Sequence, residues 1–282
     1  MVDKLRAAQT DLEQCQINAL NHVKKAARIA SEKARSVVEA KLKAMKINEA
    51  DLDLVNRYIR NEAPIIIHFS CDKVLDFFVK DTHYRNLFET KTSGGSRDLN
   101  ARGSWENTIF SCAYKTAKPF DRPKYGVLNF ANDPCGVRSC YSYGDSFLLL
   151  RNVRLRTTFA QNDTSGVKSV NDMATCEYYM HVMAAFNDQE IKDALNIARG
   201  DSKYVQGSSQ VGYREVQIHG EVRFDRDVSC VVVNARHKSC KATIEKLERF
   251  KSRHGVPYVW MTADAGSNCT SNGRRKGRRH KT

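Results

Sequence analysis

Apolar and small residues in the first part of the chain recur mostly at alternating spacings of three and four, the period of an amphipathic helix. The positions are Leu20, Val23, Ala27, Ala30, Ala34, Val37, Leu42 and Met45. Residues 1–63 contain neither glycine nor proline. The pattern predicts one long helix or a helical pair, followed by a helix that opens at Asn48 and runs through Tyr58. Such a region serves either as a partner-binding arm or as a cap on the main core, and the stripe fits both.

After Pro64, short apolar runs alternate with helical patterns. The runs predict strands at 65–69, within 121–130, and at 145–159, 216–224, 228–234 and 257–261. Helices are predicted at 71–82, 105–114, 173–185, 188–199 and 241–253. Residues 84–103 are rich in Gly, Ser, Thr and Arg and are predicted to form a loop that could cradle phosphates. This order of elements predicts an α+β domain with a split or mixed sheet.

Tyr213 and Glu215 lie where the Gly/Ser-rich stretch 207–212 meets an alternating strand pattern. Side chains two residues apart in a strand share a face, so both are expected on one side of the sheet. A carboxylate at the mouth of a strand, beside a loop, is well placed to meet a ligand. Read alone, however, the stretch favours an ordinary edge strand with a solvated glutamate.

Composition narrows the class of protein. With 282 residues, the chain is long enough for one large domain, or one domain with an appendage. No apolar run approaches the length of a membrane span, and the first residues lack the apolar core of a secretory signal. A cytosolic site of action is therefore expected, reached either directly or by a delivery route that removes no signal. The nine cysteines include no Cys-x-x-Cys pair, which favours free thiols and no metal site.

The formal charge of +14 is partly local. Six basic residues lie in the tail 273–282, and setting them aside leaves +8 for the rest of the chain. A basic tail is usually disordered and binds acidic surfaces. The positive balance suits either nucleic acid or an acidic substrate such as a pyrophosphate cofactor.

Several separated motifs resemble those of NAD-dependent ADP-ribosyltransferases. The run from Tyr213 to Gly220 resembles their catalytic strand, in which a loop presents a glutamate that leads into an apolar strand. Ile65-Ile-Ile-His68 resembles the first core strand of the branch that carries a histidine there. Tyr125-Gly-Val-Leu-Asn-Phe130 resembles that branch's Tyr-Gly strand, and the run 147–155 resembles the strand that follows.

The combination of the motifs in 84–95, 122–129 and 213–220 is similar to the CteC-type bacterial effector mono-ADP-ribosyltransferases. The similarity covers roughly residues 64–236, so it excludes the helical region and the tail. The resemblance implies a secreted bacterial effector that acts in the host cytoplasm. It also implies an ADP-ribosyltransferase-like split mixed sheet, NAD as substrate, and a threonine of host ubiquitin as acceptor, whose modification blocks ubiquitination.

The resemblance implies a set of site residues. Glu215 is the expected catalytic carboxylate and Tyr213 the residue that faces the acceptor. The expected NAD-binding residues are His68, Phe69, Arg85, Phe88, Tyr125, Asn129 and Gln217.

Several of these residues also have ordinary structural interpretations. His68 could be a satisfied core histidine, Arg85 a solvated loop charge, and Asn129 a turn-forming side chain. Gln217 could support Glu215 from behind, as could His219. Glu221 is a rival catalytic acid, placed second because it follows Gly220 at a predicted turn.

The predicted organisation is a helical N-terminal region at 1–63, an ADP-ribosyltransferase-like catalytic domain at 64–265 and a basic tail at 266–282. Two alternatives stand beside a transferase that modifies a protein. One is an enzyme of the same fold whose acceptor is nucleic acid, bound through the tail. The other is a non-catalytic basic binding protein. None of the three hypotheses involves a membrane.

Overall fold

The computed structural model describes residues 11–92, 98–200 and 214–261. Eight strands in these ranges form one sheet. The strands are β1 (Ile65–Phe69), β2 (Lys124–Leu128), β3 (Ser146–Leu150), β4 (Thr157–Ala160), β5 (Met173–Thr175), β6 (Glu215–Ile218), β7 (Val228–Val233) and β8 (Tyr258–Trp260).

The α-helices of the same ranges differ widely in length. They are α1 (Gln14–Ala44), α2 (Glu49–Arg57), α3 (Cys71–Lys80), α4 (Leu87–Thr90), α5 (Leu99–Ile109), α6 (Met180–Ala184), α7 (Asp188–Arg199), α8 (Phe224–Asp227) and α9 (Lys241–His254). None of the described helices is both long and apolar enough to cross a membrane. Eight of the nine cysteines fall in the described ranges, and all eight are free thiols.

The strand order is β5-β4-β6-β2-β1-β3-β7-β8. Neighbouring strands run antiparallel except β7 and β8, which run parallel, so the α+β class with a mixed sheet is confirmed. At its centre β1 pairs with β2 through only two residue pairs, Ile65 with Leu128 and Ile66 with Val127. Beyond them β1 continues along β3 and β2 along β6. The two halves of the sheet therefore separate at this point.

The alternation of strand side chains assigns the apolar residues to the two faces of the sheet. Ile65, Ile67 and Phe69 belong to the largest core cluster, which also contains residues of α2, α3, α7 and α9. Ile66 points to the opposite face, into a smaller cluster formed largely by the segment 135–147. His68 shares that face with Ile66 by the same alternation.

The N-terminal region is a single long helix followed by a short one, as predicted. Ala19 and Val23 of α1 pack in a cluster with the end of α5 and with β4 and β5. Val38 and Leu42, further along α1, join the largest cluster. Helix α1 therefore caps the core along much of its length. Asn48 begins α2, where its side chain accepts a hydrogen bond from the backbone of Asp51.

Two predicted elements are divided by turns. The strand predicted at 145–159 ends at Leu150, because Asn152 adopts a left-handed backbone (φ 59°) before β4 starts. The strand predicted at 216–224 ends at Ile218. Gly220, with φ +84°, turns the chain there, and Phe224 already opens α8.

Two other predictions were wrong in the type of element. The helix predicted at 173–185 starts as β5, because Met173 to Thr175 pair with β4 and that pairing overrides local helix propensity. The loop predicted at 84–103 contains α4 and the first turns of α5. Helix α5 also ends at Ile109, five residues short of the predicted end. Its start is fixed by Asp98, whose carboxylate accepts from the backbone of Asn100 and Ala101.

Candidate active site

A cavity of about 530 Å³ opens where β1 and β2 separate. Residues 67–69 of β1 and 125–127 of β2 line it, together with Glu215 at the start of β6. Helix α3 and the segment 81–92 supply much of the remaining wall. The cavity therefore collects side chains from three strands that are far apart in the sequence.

Glu215 is buried in the sheet centre, with 2% of its surface exposed. Strand β6 lies between β4 and β2, so the interpretation of an edge strand with a solvated glutamate is wrong. Its Oε2 accepts a hydrogen bond from the backbone N–H of Thr164 at 3.0 Å. Its Oε1 lies 3.8 Å from Nη1 of Arg102. The carboxylate is thus held in one place at the wall of the cavity.

Gln217 lies behind Glu215 and is not among the described residues that line the cavity. It is fully buried, donates its amide to Oγ1 of Thr164 at 3.2 Å and accepts from Oγ1 of Thr158 at 3.0 Å. Gln217 therefore supports the residue that holds Glu215, and it is separated from the space a ligand would occupy.

The same line of hydrogen bonds continues to His219. Because the hydroxyl hydrogen of Thr158 goes to Gln217, Nε2 of His219 is the donor to Thr158 at 3.2 Å. Nδ1 of His219 then accepts from the hydroxyl of Tyr114 at 2.7 Å. Burial, reinforced by the nearby charge of Arg156, lowers the pKa of His219 to about 3. The ring is neutral. The side-chain donors therefore follow one direction, from Tyr114 through His219, Thr158 and Gln217 to Thr164, the residue that holds Glu215.

His68 and Phe69 both line the cavity and are both buried. The backbone N–H of Val137 donates to Nε2 of His68 at 3.0 Å, so Nδ1 carries the proton and donates to the carbonyl of Gly144 at 2.9 Å. Burial lowers the pKa of His68 to about 4. Both ring nitrogens are already paired with backbone, so the surface that His68 presents to a ligand is apolar.

Tyr125 lines the cavity with one ring face covered. The guanidinium of Arg102 lies 4.2 Å from the ring centroid, and the Tyr125 hydroxyl donates to Oε1 of Glu106 at 3.1 Å. Burial raises the pKa of the Glu106 carboxyl to about 7, against the opposing effect of its ion-pair partner Arg122. Tyr125 is thereby fixed at both its ring and its hydroxyl.

Two predicted ligand contacts lie away from the described cavity wall. Phe88 packs under the guanidinium of Arg122, 4.1 Å from its ring centroid. Asn129 is buried and closes a turn, since its side chain both donates to and accepts from the backbone of Asp133. The turn-forming interpretation of Asn129 therefore describes its contacts.

The remaining candidates differ in position. Arg85 stands at the cavity wall, is 45% exposed and forms an ion pair with Asp81. Glu221 has 28% of its side chain exposed, lies 3.6 Å from Nδ1 of His83 and lines a separate cavity of about 220 Å³. Tyr213 lies outside the described residues.

Arg102 lines the cavity but was not predicted as a site residue. Sequence reasoning placed it in a loop, whereas it lies on α5. The signal was present locally: Asp98 has the character of a helix cap, and Trp105 follows Arg102 at a helical spacing of three. The guanidinium lies 5.1 Å from the Trp105 ring centroid.

Fold and site together define an α+β protein with a cavity at the split of a mixed sheet and a buried carboxylate in its wall. The chain belongs to the family described as "Protein of unknown function (DUF3626)", whose model matches residues 64–206. The matched part includes β1, β2 and α5, and it ends before Glu215. None of the curated proteins compared with the chain matches it.

Proposed function

We propose that the protein is an NAD-dependent mono-ADP-ribosyltransferase with an ADP-ribosyltransferase-like core. The observation that carries the proposal is the convergence of His68, Tyr125 and Glu215 on one cavity. These residues come from three separate motifs of the resemblance, and nothing in their spacing along the chain requires them to meet.

The cavity suits a dinucleotide in size and in the groups that its wall presents. Its volume of about 530 Å³ falls within the range of small-molecule and cofactor sites. Its wall carries both acidic and basic residues, and among the basic ones Arg102 is the buried guanidinium that fits the negative charge of a diphosphate. The apolar surfaces of His68 and Phe69 suit the flat rings of a nucleotide.

The chemistry assigns one main task to Glu215. When the bond between nicotinamide and ribose breaks, nicotinamide leaves with the electron pair and positive charge develops on the ribose. A fixed carboxylate that accepts a hydrogen bond from the ribose 2′-hydroxyl stabilises this charge in a site shielded from water. The acceptor hydroxyl then forms the new bond to the ribose carbon and releases its proton to the solvent. Because Thr164 already holds Glu215 in place, little reorganisation accompanies the step.

The acceptor is proposed from the resemblance alone. It is a threonine of host ubiquitin, modified by a secreted bacterial effector in the host cytoplasm, with Tyr213 beside the acceptor hydroxyl. Within this proposal Gln217 positions Glu215 through Thr164, and Tyr125 borders the nicotinamide end of the site.

The substitution Glu215→Gln tests the proposal. Glutamine keeps the shape of the side chain and an oxygen for the Thr164 N–H, but it lacks the negative charge. We expect the release of nicotinamide from NAD to fall by about 10²–10³, the usual effect of removing one preorganised electrostatic partner. Transfer of label from NAD to ubiquitin is expected to disappear with it.

Glu221→Gln is the matched control, because it makes the same change six residues away, outside the described cavity wall. It should leave nicotinamide release within about a factor of two of wild type, since it removes no partner of the reacting atoms. Near-full activity in Glu215→Gln would refute the assignment. Label on nucleic acid in place of ubiquitin would favour the alternative acceptor.

A further inference from the structure

Arg102 is a buried arginine with unused donors. It is 7% exposed and lines the cavity, yet its Nε and Nη1 have no hydrogen-bond partner among the described residues. The nearest carboxylate oxygen, Oε1 of Glu215, is 3.8 Å from Nη1, which is too far for a hydrogen bond. Buried guanidinium donors without acceptors are costly, and they are uncommon unless a ligand, ion or water completes them.

Aromatic rings hold this guanidinium in place, while its Nε and Nη1 have no hydrogen-bond acceptor among the described residues. It lies 4.2 Å from the ring centroid of Tyr125 and 5.1 Å from that of Trp105. Such cation–π contacts attract the charge through the ring faces. Helix α5, which carries Arg102 and Trp105, is fixed at its start by Asp98. The charge is therefore positioned while its donors remain open to an acceptor.

Arg85, the other arginine of the described wall, is arranged differently. It is 45% exposed and already forms an ion pair with Asp81, four residues earlier in the chain. An exposed charge is screened by water, and a paired one must first leave its partner before it binds an anion. Arg102 is also near a carboxylate, that of Glu215, but it donates no hydrogen bond to it, whereas Arg85 is hydrogen-bonded to Asp81. The two arginines thus differ in burial and in the number of donors that lack an acceptor.

We propose that Arg102 binds the phosphate groups of a nucleoside diphosphate in this cavity, and that Arg85 does not. The choice of a nucleoside diphosphate rests on the proposed function, whereas the choice of Arg102 rests on its burial and its open donors. Phosphate oxygens supply strong charged acceptors for a guanidinium, which is the group that Arg102 presents in the cavity wall.

The test is a titration of the full-length protein with ADP, measured by isothermal titration calorimetry. ADP carries the diphosphate but has no nicotinamide bond to break, so binding is measured without reaction. Arg102→Gln is expected to raise the Kd for ADP by about tenfold to a hundredfold, the effect of losing a charged hydrogen-bonding partner. Arg85→Gln, the matched control at the same cavity, should change the Kd by less than about threefold.

Three further measurements guard against a misfolded variant. Arg102→Lys keeps the charge but loses the planar stack, and it is expected to weaken ADP binding by about tenfold. The Nε–H resonance of Arg102 in the NMR spectrum of wild type is identified by its absence from the spectrum of Arg102→Lys. This resonance should shift when ADP is added to wild type. Circular dichroism verifies that each variant is folded.

Any of three results would overturn the inference: no ADP binding by wild type, equal Kd values for wild type and Arg102→Gln, or loss of binding only in Arg85→Gln. The same experiments distinguish a failure of this inference from a failure of the proposed function. A protein that binds ADP through Arg102 but releases no nicotinamide from NAD would refute the transferase and leave this site standing. Nicotinamide release with binding indifferent to Arg102 would refute the site alone.

Discussion

Two neutral histidines occupy buried polar positions near the cavity. His68 is held by the backbone at both nitrogens, and His219 is held by Tyr114 and Thr158. Protonation would place a hydrogen on a nitrogen that now accepts a bond, and it would bury a charge. Burial therefore lowers the pKa of His68 to about 4 and that of His219 to about 3. Protonation of either ring would therefore break the hydrogen bond that its unprotonated nitrogen accepts.

We expect the protein to lose stability as the pH falls from 6.5 towards 4. The unfolded chain binds protons at these two histidines in that window while the folded chain does not. The free energy of unfolding therefore decreases as the pH decreases. The loss is on the order of 2–3 kcal/mol per histidine at the lower end. Urea unfolding at several pH values measures it. The variant His219→Gln should show a shallower dependence, and a slope equal to that of wild type would contradict the assignment.

Glu215 shows what the surroundings of a residue contribute to its chemistry. Its neighbours in the sequence suggested an exposed edge, but β4 and β2 enclose it on both sides. The contact that fixes the carboxylate comes from Thr164, 51 positions earlier in the chain. A pattern of alternation over ten residues carries no information about such a partner.

At the scale of elements, α1 shows how one stripe of residues is divided between two clusters. Its early residues pack beside α5, and its later residues join the largest core. Leu42 is 2% exposed, whereas Val37 on the same helix is 56% exposed. The two positions were predicted as members of a single stripe, and only packing distinguishes them.

Leu42→Ala is expected to lower the free energy of unfolding by about 2–5 kcal/mol, because it leaves a cavity in the main core. Val37→Ala removes an exposed side chain of similar kind and should stay within about 0.5 kcal/mol of wild type. Denaturant unfolding measures both. Equal, small effects would mean that α1 is an arm that contributes little to the stability of the core.

The elements also show where local patterns succeed. Helix α7 was predicted at its observed bounds. In the structure, Asn187 and Glu190 form a capping box at its start, and Gly200 ends it in a left-handed conformation. Residues 173–175 have a composition typical of a helix, and their strand form depends on β4, whose position the local sequence does not encode.

At the scale of the whole molecule, the net charge of +14 is divided between the body and the tail. The tail lies outside the described residues. A cluster of six basic residues would bind nucleic acid mainly through phosphates, with an affinity that falls steeply as salt rises.

Deletion of residues 273–282 is expected to weaken binding to a nonspecific DNA duplex and to reduce the slope of log K against log salt by up to about five. Nicotinamide release from NAD should remain within about twofold of the full chain, because no described residue that lines the cavity comes later in the sequence than Glu215. Fluorescence anisotropy at several salt concentrations measures the first effect. An unchanged salt slope would place the DNA-binding charge on the body.

The sequence by itself determined most of the helices and strands, the α+β class and a small set of candidate residues. Periodicity, caps and glycines act within a few residues, so they can be read locally. The split between β1 and β2, the burial of Glu215 and the cavity beside Arg102 were decided only by the tertiary structure. Each depends on groups that lie tens of positions apart and meet only when the sheet has formed.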